Sequence, residues 1–150
     1  MIKHLEQLSP IEALELTIIG EARGEPIEGQ IAVACVIRNR LKHNPSKYED
    51  YRDVCFENRQ FSCWNNGSPE EGFLQDLVDK IVANQESDIV DPYLIQCMWV
   101  AEGISENKIQ DNTSGAKNYI TASLFKEARP SWAIKAYDFR TYGKHIFFKV

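Results

Sequence analysis

The segment from Pro26 to Lys42 is apolar on almost every side of a helix. Ile27, Ile31, Ala34 and Leu41 recur on one face, and Val33, Val36 and Ile37 fill much of the rest. A helix with so little polar surface needs protein packed all round it. A chain of 150 residues is therefore expected to build one core about this helix, with residues 1–150 forming a single domain. Its polar last turn, Arg38-Asn39-Arg40, must surface or line something.

The helix that precedes it is announced by Ser9-Pro10-Ile11-Glu12: Ser9 as N-cap, Pro10 at the first helical position and Glu12 closing a capping box. It is expected to run to Arg23, with Gly24 turning left-handed to end it. The junction Gly20-Glu21-Ala22-Arg23-Gly24-Glu25-Pro26 packs three charged groups between the two helices. Glu21 follows Leu14 by seven positions and Ile18 by three. At about 100° per residue that places it at the inner, apolar edge of its helix. A carboxylate there is costly unless paired or protonated, and a protonated carboxyl is what a general acid supplies. Most helical glutamates are solvated or ion-paired, and the inward phase sets Glu21 apart. Glu25 and Glu28 lie past the break and read as capping and dipole charges for the next helix.

Residues 43–67 read as a long irregular loop carrying Tyr48, Tyr51, Phe56, Phe61 and Trp64. That is too aromatic for disorder. The rings are expected to pin the loop to the core, or else to line a groove in which their faces and the amide of Gln60 suit sugar rings. A further helix is expected from the capping box Ser68-Pro69-Glu70-Glu71, buried through Phe73, Leu74, Leu77, Val78, Ile81 and Val82. Another opens at Asp91-Pro92 and carries Leu94, Ile95, Met98 and Trp99 to a stop at Gly103. Asp111-Asn112-Thr113-Ser114-Gly115 is a strong turn signal. The C-terminus reads as a hairpin, with strands near 133–139 and 144–150 about a turn at Thr141-Tyr142-Gly143. Helices plus one small C-terminal hairpin or sheet make the class α+β, mainly helical.

The net charge of −5, with no basic stripe, argues against nucleic acid as a partner. No apolar run approaches the roughly 18 residues of a membrane span, so membrane insertion is not expected. Met1 to Glu6 lack the basic-then-apolar pattern of a signal peptide. Cys35, Cys55, Cys63 and Cys97 form no CxxC pair, and a Cys55–Cys63 bridge is possible without being demanded. Their spacing from His4, His43 and His145 gives no support for a zinc site.

The run from Ile19 to Ala34, IGEARGEPIEGQIAVA, resembles the signature of the SleB/CwlJ cell-wall hydrolases, the spore-cortex-lytic enzymes whose domain also occurs in phage lysis proteins. The resemblance continues through Asn39-Arg40, Gln60-Phe61-Ser62, Asp111, Thr113, Gly115-Ala116 and Tyr119 to Trp132 and Gly143-Lys144-His145-Ile146-Phe147. It thus spans roughly residues 11–148 with its blocks in order. Ile19 stands where the family has tyrosine, and Asn112 where it has proline.

The resemblance implies a lysozyme-like single domain that cleaves peptidoglycan glycan strands between N-acetylmuramic acid and N-acetylglucosamine. It implies a lytic transglycosylase forming 1,6-anhydromuramyl ends, with Glu21 as the single catalytic acid and base. Gln60, Ser62, Thr113, Tyr119 and Arg23 are the candidate substrate-binding residues, although Arg23 also reads as a structural partner for Glu28. Trp132 and Phe147 read as packing and His145 as hairpin surface. No metal or cofactor is implied, and the working unit is expected to be a monomer. Three rival readings stand beside this one. They are a water-using muramidase with Glu25 or Asp111 as second carboxylate, a non-catalytic wall-binding protein, and a cysteine peptidase or amidase using Cys63 or Cys97 with His145. With no signal peptide and no wall-binding repeat ahead of it, the chain is expected to be made in the cytoplasm and to act in phage lysis, or second, near the spore cortex.

Overall fold

A computed structural model describes residues 1–150. Helix α1 (Pro10–Ala22) opens on the expected capping box: Ser9 Oγ accepts from the Glu12 amide, and Glu12 accepts from the Ser9 amide. Helix α2 (Ile27–His43) follows, and Ala32 through Ile37 are all completely buried. Next come the short α3 (Tyr51–Cys55), a 3-10 turn at Ser62–Trp64, α4 (Glu71–Val82) and α5 (Pro92–Ser105). Strand β1 (Asn118–Thr121), α6 (Ala122–Glu127), β2 (Tyr137–Tyr142) and β3 (His145–Lys149) complete the chain. α5 packs across both α1 and α2. The result is α+β, as expected, with one principal core centred on α2.

The sheet is antiparallel in the order β1-β3-β2. Tyr119 pairs with Phe147 and Ile120 with Ile146. Alternation along the strands sends Phe147, with Tyr119 packed beside it, toward the principal core. Ile120 and Phe148 go to a smaller cluster with Ala133. This register decides which strand residues meet the helices.

Several expectations are corrected. Gly24 does not turn left-handed; α1 ends through Arg23, whose amide and Nη1 both donate to the Ile19 carbonyl. Its end is closed by a side chain, so no left-handed residue is needed. The stretch 43–67 holds α3 and the 62–64 turn, and its aromatic rings do pin it: Tyr48 and Phe61 are buried, and Trp64 Nε1 donates to Thr17 Oγ1 at 2.9 Å. α4 begins at Glu71 because the Glu71 carboxylate accepts from the Gly67 amide and the N-terminal ammonium rather than closing a box on Ser68. α5 continues to Ser105 and buries Leu94, Cys97, Val100, Ala101 and Ile104, leaving Trp99 74% exposed. Gly103 does not stop that helix; it admits the side chain of Ile109, which would collide with any Cβ there. β2 starts later than expected, and β1 is an addition to the hairpin. All four cysteines are free and buried, so Cys55 and Cys63 form no bridge. No helix is long and apolar enough to cross a membrane.

Candidate active site

Glu21 sits in the last turn of α1, where the helix meets the 62–64 turn. Gly20 makes that approach possible: a Cβ there would lie 2.7 Å from Cys63 Sγ and 2.8 Å from Cys63 Cβ. With no side chain in the way, the turn closes on the helix end and aims its donors at the carboxyl. The Cys63 amide donates to Glu21 Oε2 at 3.1 Å, and Ser62 Oγ donates to the same oxygen at 3.4 Å. From β1, the Tyr119 hydroxyl donates to Oε1 at 2.6 Å. Glu21 is therefore half-buried among three donors rather than pressed against an apolar wall.

Tyr119 is held in turn by its neighbours on the sheet. Its ring meets His145 edge-on at 5.2 Å and lies against Phe147 at 5.2 Å. Burial, then the nearby Glu21 carboxylate, pushes its phenol well above the ordinary value. It thus stays a protonated donor. His145 is not a surface residue: its Nδ1 lies 2.8 Å from Glu25 Oε1, and the two side chains are 15% and 11% exposed. The same oxygen of Glu25 accepts from the Lys144 amide at 3.3 Å. Glu25 therefore anchors the β2–β3 hairpin instead of capping α2.

Beside Tyr119 opens a cleft of about 350 Å³ lined by Arg40, Arg59, Gln60, Asn118, Tyr119 and Trp132. Its lining of amides, guanidinium groups and aromatic faces suits a hydroxyl- and acetamido-rich ligand. Trp132 stacks on Phe148 as a packing residue would, yet remains 51% exposed and lines the cleft.

The structure thus brings Glu21, Ser62 and Tyr119 together, with Gln60 on the adjoining wall. It does not bring Arg23 or Thr113 to them. Arg23 pairs with Glu70 at 2.6 Å, not with Glu28, and lies over the Phe73 ring. Thr113 is completely buried; its Oγ1 donates to Asp111 and accepts from the Ala116 amide. Asp111 is equally committed. Burial alone would raise its pKa, but hydrogen bonds from Thr113, Asn39 and the Gly115 amide outweigh this and hold it below the usual carboxylate value. This turn lies just before β1, the strand that carries Tyr119. Burial also pushes the Cys97 thiol up to about 12 and raises that of Cys63, which disfavours a thiolate nucleophile. No three His, Cys, Asp or Glu side chains gather as a metal site would require.

Sequence reasoning missed the Cys63 amide and Asn118, and placed Arg40 only in a polar last turn that must surface or line something. A backbone donor leaves no mark of its own in a sequence; the signal that could have found it is Gly20, the small residue on the face next to Glu21.

Residues 24–148 match the family model described as Cell Wall Hydrolase. The match begins three positions after Glu21. The chain is 28% identical over 141 residues to a spore cortex-lytic enzyme of Halalkalibacterium halodurans, covering 91% of this chain and 34% of that protein. It is 39% identical over 75 residues to the spore cortex-lytic enzyme of Bacillus subtilis, covering 47% of this chain and 24% of that one. The chain therefore spans about a third or less of the length of these curated relatives. Among solved structures, it is similar to the catalytic domain of the germination-specific lytic transglycosylase SleB from Bacillus anthracis, with a TM-score of 0.58, 26% identity and 93% of each chain covered. The catalytic domain of Bacillus cereus SleB matches with the same TM-score at 25% identity, covering 93% of this chain and 89% of that one.

Proposed function

The chain belongs to the Cell Wall Hydrolase family, and from that footing we propose that it cleaves peptidoglycan glycan strands as a lytic transglycosylase, with Glu21 as the only catalytic carboxyl. The observation that carries this reading is the Glu21 carboxyl itself, held by Tyr119, Ser62 and the Cys63 amide, with Tyr119 in turn lining a polar and aromatic cleft.

Direct attack by a second carboxylate, or activation of a water by one, needs two carboxyl groups flanking the scissile bond. The two other candidates are occupied: Glu25 by His145 and the Lys144 amide, Asp111 by the turn it organises. A single-carboxyl route fits this arrangement. Glu21 gives its proton to the bridging oxygen, and the C1–O bond breaks. Glu21, now a carboxylate, takes the proton of the muramyl C6 hydroxyl as that oxygen bonds to C1. The substrate supplies the nucleophile, and the proton count on Glu21 is restored. Proton transfer of this kind is worth about 10²–10⁴-fold; positioning by the cleft supplies a further share. Tyr119 and the Cys63 amide fix the carboxyl plane, and Ser62, Gln60, Asn118 and Trp132 form the sugar-binding wall.

The protein works as a monomer on the cell wall. The names of its relatives favour spore cortex over phage lysis as the setting. Incubation with purified sacculi or cortex fragments tests the reading. The expected result is release of soluble muropeptides by the native chain and none by Glu21→Gln; release by both would refute it.

A further inference from the structure

Arg38 and Arg40 leave the same helical turn and meet opposite fates. Arg38 is buried and donates to the carbonyls of Ile104 and Ile109 and to Asn107 Oδ1, so it serves the end of α5. Arg40 is half-buried and incompletely used. Its Nε donates to the Lys117 carbonyl at 2.8 Å, its Nη1 to Gln60 Oε1 at 3.2 Å, and its plane rests over the Phe61 ring at 5.1 Å. Its Nη2 has no partner in the protein. The one carboxylate nearby, Glu57, is taken by Lys47 at 2.7 Å and by the Tyr48 hydroxyl at 2.6 Å. The result is a guanidinium locked in place with its outer edge free.

Arg40 itself stands at the junction of two hollows. Arg40 lines the cleft that contains Tyr119, and also a neighbouring one of about 280 Å³ with His43, Lys47 and Lys117 in its wall. Tyr119 in turn holds Glu21. A cation prepositioned one side chain from the proton donor, within a chain of net charge −5, suits an anionic group on the ligand. A planar fork suits a carboxylate best.

We propose that Arg40 is a specificity-determining residue that reads a carboxylate carried on the lactyl substituent of the muramyl ring, either free or at the end of a short amide-linked amino acid. This rests on the glycan-cleavage reading above. In an alternating strand only every second sugar bears that substituent. Recognising it beside Glu21 sets the frame, so that one of the two kinds of glycosidic bond meets the acid. Partial burial strips water from the guanidinium and lowers its pKa, which leaves it eager for an anion yet still charged.

The test is binding, independent of turnover. Native protein and Arg40→Gln are titrated with N-acetylmuramic acid, N-acetylmuramyl-L-alanine and the methyl ester of each. At least one acid is expected to bind the native chain about tenfold more tightly than its ester, as charge-assisted hydrogen bonds are lost on esterification. The preference disappears in Arg40→Gln, and the acid that shows it identifies the source of the carboxylate. Equal affinities for acids and esters, or a preference that survives in Arg40→Gln, would overturn the proposal. Should Arg40→Gln fold poorly, the Arg40 guanidinium resonances of the native chain decide. They shift with the acids alone if the proposal holds; shifts with both forms or neither refute it. Lysis of sacculi is followed in parallel. An acid preference without lysis would sink the enzymatic reading and spare Arg40, and lysis without an acid preference would do the reverse.

Discussion

Tyr119 donates its hydroxyl to Oε1 of Glu21 at 2.6 Å, bridging 98 positions of sequence. The bond joins the small sheet to the end of α1 and fixes one face of the carboxyl. Tyr119→Phe keeps the ring packing against Phe147 and His145 and removes only the donor. A hydrogen bond to a charged group is worth about 1.5–3 kcal/mol. The variant is therefore expected to melt several degrees below the native temperature and to release muropeptides roughly 10–100-fold more slowly. Thermal melts and initial rates on sacculi check both halves.

Gly20 and Gly24 flank Glu21 and should respond in opposite ways. A methyl at Gly20 runs into Cys63 and into Leu74 at 3.2 Å. Gly20→Ala must push away the turn that supplies two of the three donors, at a cost of about 1–3 kcal/mol and with a loss of activity beyond that expected from stability. At Gly24 a methyl would meet nothing within 4 Å, and the backbone is not left-handed. Gly24→Ala is expected to be neutral or to stabilise by about 0.4–1 kcal/mol. Chemical denaturation of the pair reads the contrast.

Glu25→Gln separates structure from chemistry. The amide keeps an acceptor for the Lys144 N–H, so the hairpin anchor is weakened without being removed. Activity within a few-fold of native is expected, with a small fall in melting temperature. A loss as deep as that of Glu21→Gln would mean that Glu25 takes part in the reaction and that a two-carboxyl muramidase is the better description.

Glu15 gives the fold a dependence on pH that does not involve the cleft. It is 8% exposed, and burial first, then the charges of Glu102, Glu12 and Glu86, raises its pKa to about 7. A carboxyl with a raised folded pKa binds a proton in the native state that the unfolded chain has already lost. Stability should therefore fall as pH rises from the unfolded value near 4.5 through about 7, by an amount on the order of 3 kcal/mol. Glu15→Gln removes this contribution, so its advantage over the native chain should be absent at pH 4 and greatest above pH 8. Denaturation midpoints across that range test it.

The parts of this fold that a local pattern determines were legible in the sequence. The capping box at Ser9 and the all-round burial of Ala32–Ile37 follow from spacing alone. So does the inward phase of Glu21. The phase of α5 did not follow, because Leu94, Ile95, Cys97, Met98, Trp99, Val100 and Ala101 offer apolar residues on nearly every side. Only contact with α1 and α2 decides that Cys97 is buried and Trp99 is not. β1 is four residues, Asn-Tyr-Ile-Thr, and exists because β3 pairs with it.

The site divides in the same way. Ser62 and Tyr119 were named through family resemblance, and the structure sets both on Glu21. Thr113 belongs to the same motif but is spent inside the Asp111 turn, and Arg23, two positions from Glu21, points to Glu70. A motif groups residues that matter to the fold with those that meet at one place. Only the tertiary contacts separate them.

The central claim is that Glu21 alone performs both proton transfers and that the muramyl C6 hydroxyl closes the reaction. Mass spectrometry of the fragments released from sacculi in ¹⁸O-labelled water tests it most directly. The account predicts 1,6-anhydromuramyl ends with no label from the native chain, and no fragments from Glu21→Gln. Reducing muramic acid ends carrying ¹⁸O, or fragments released by Glu21→Gln, would contradict it.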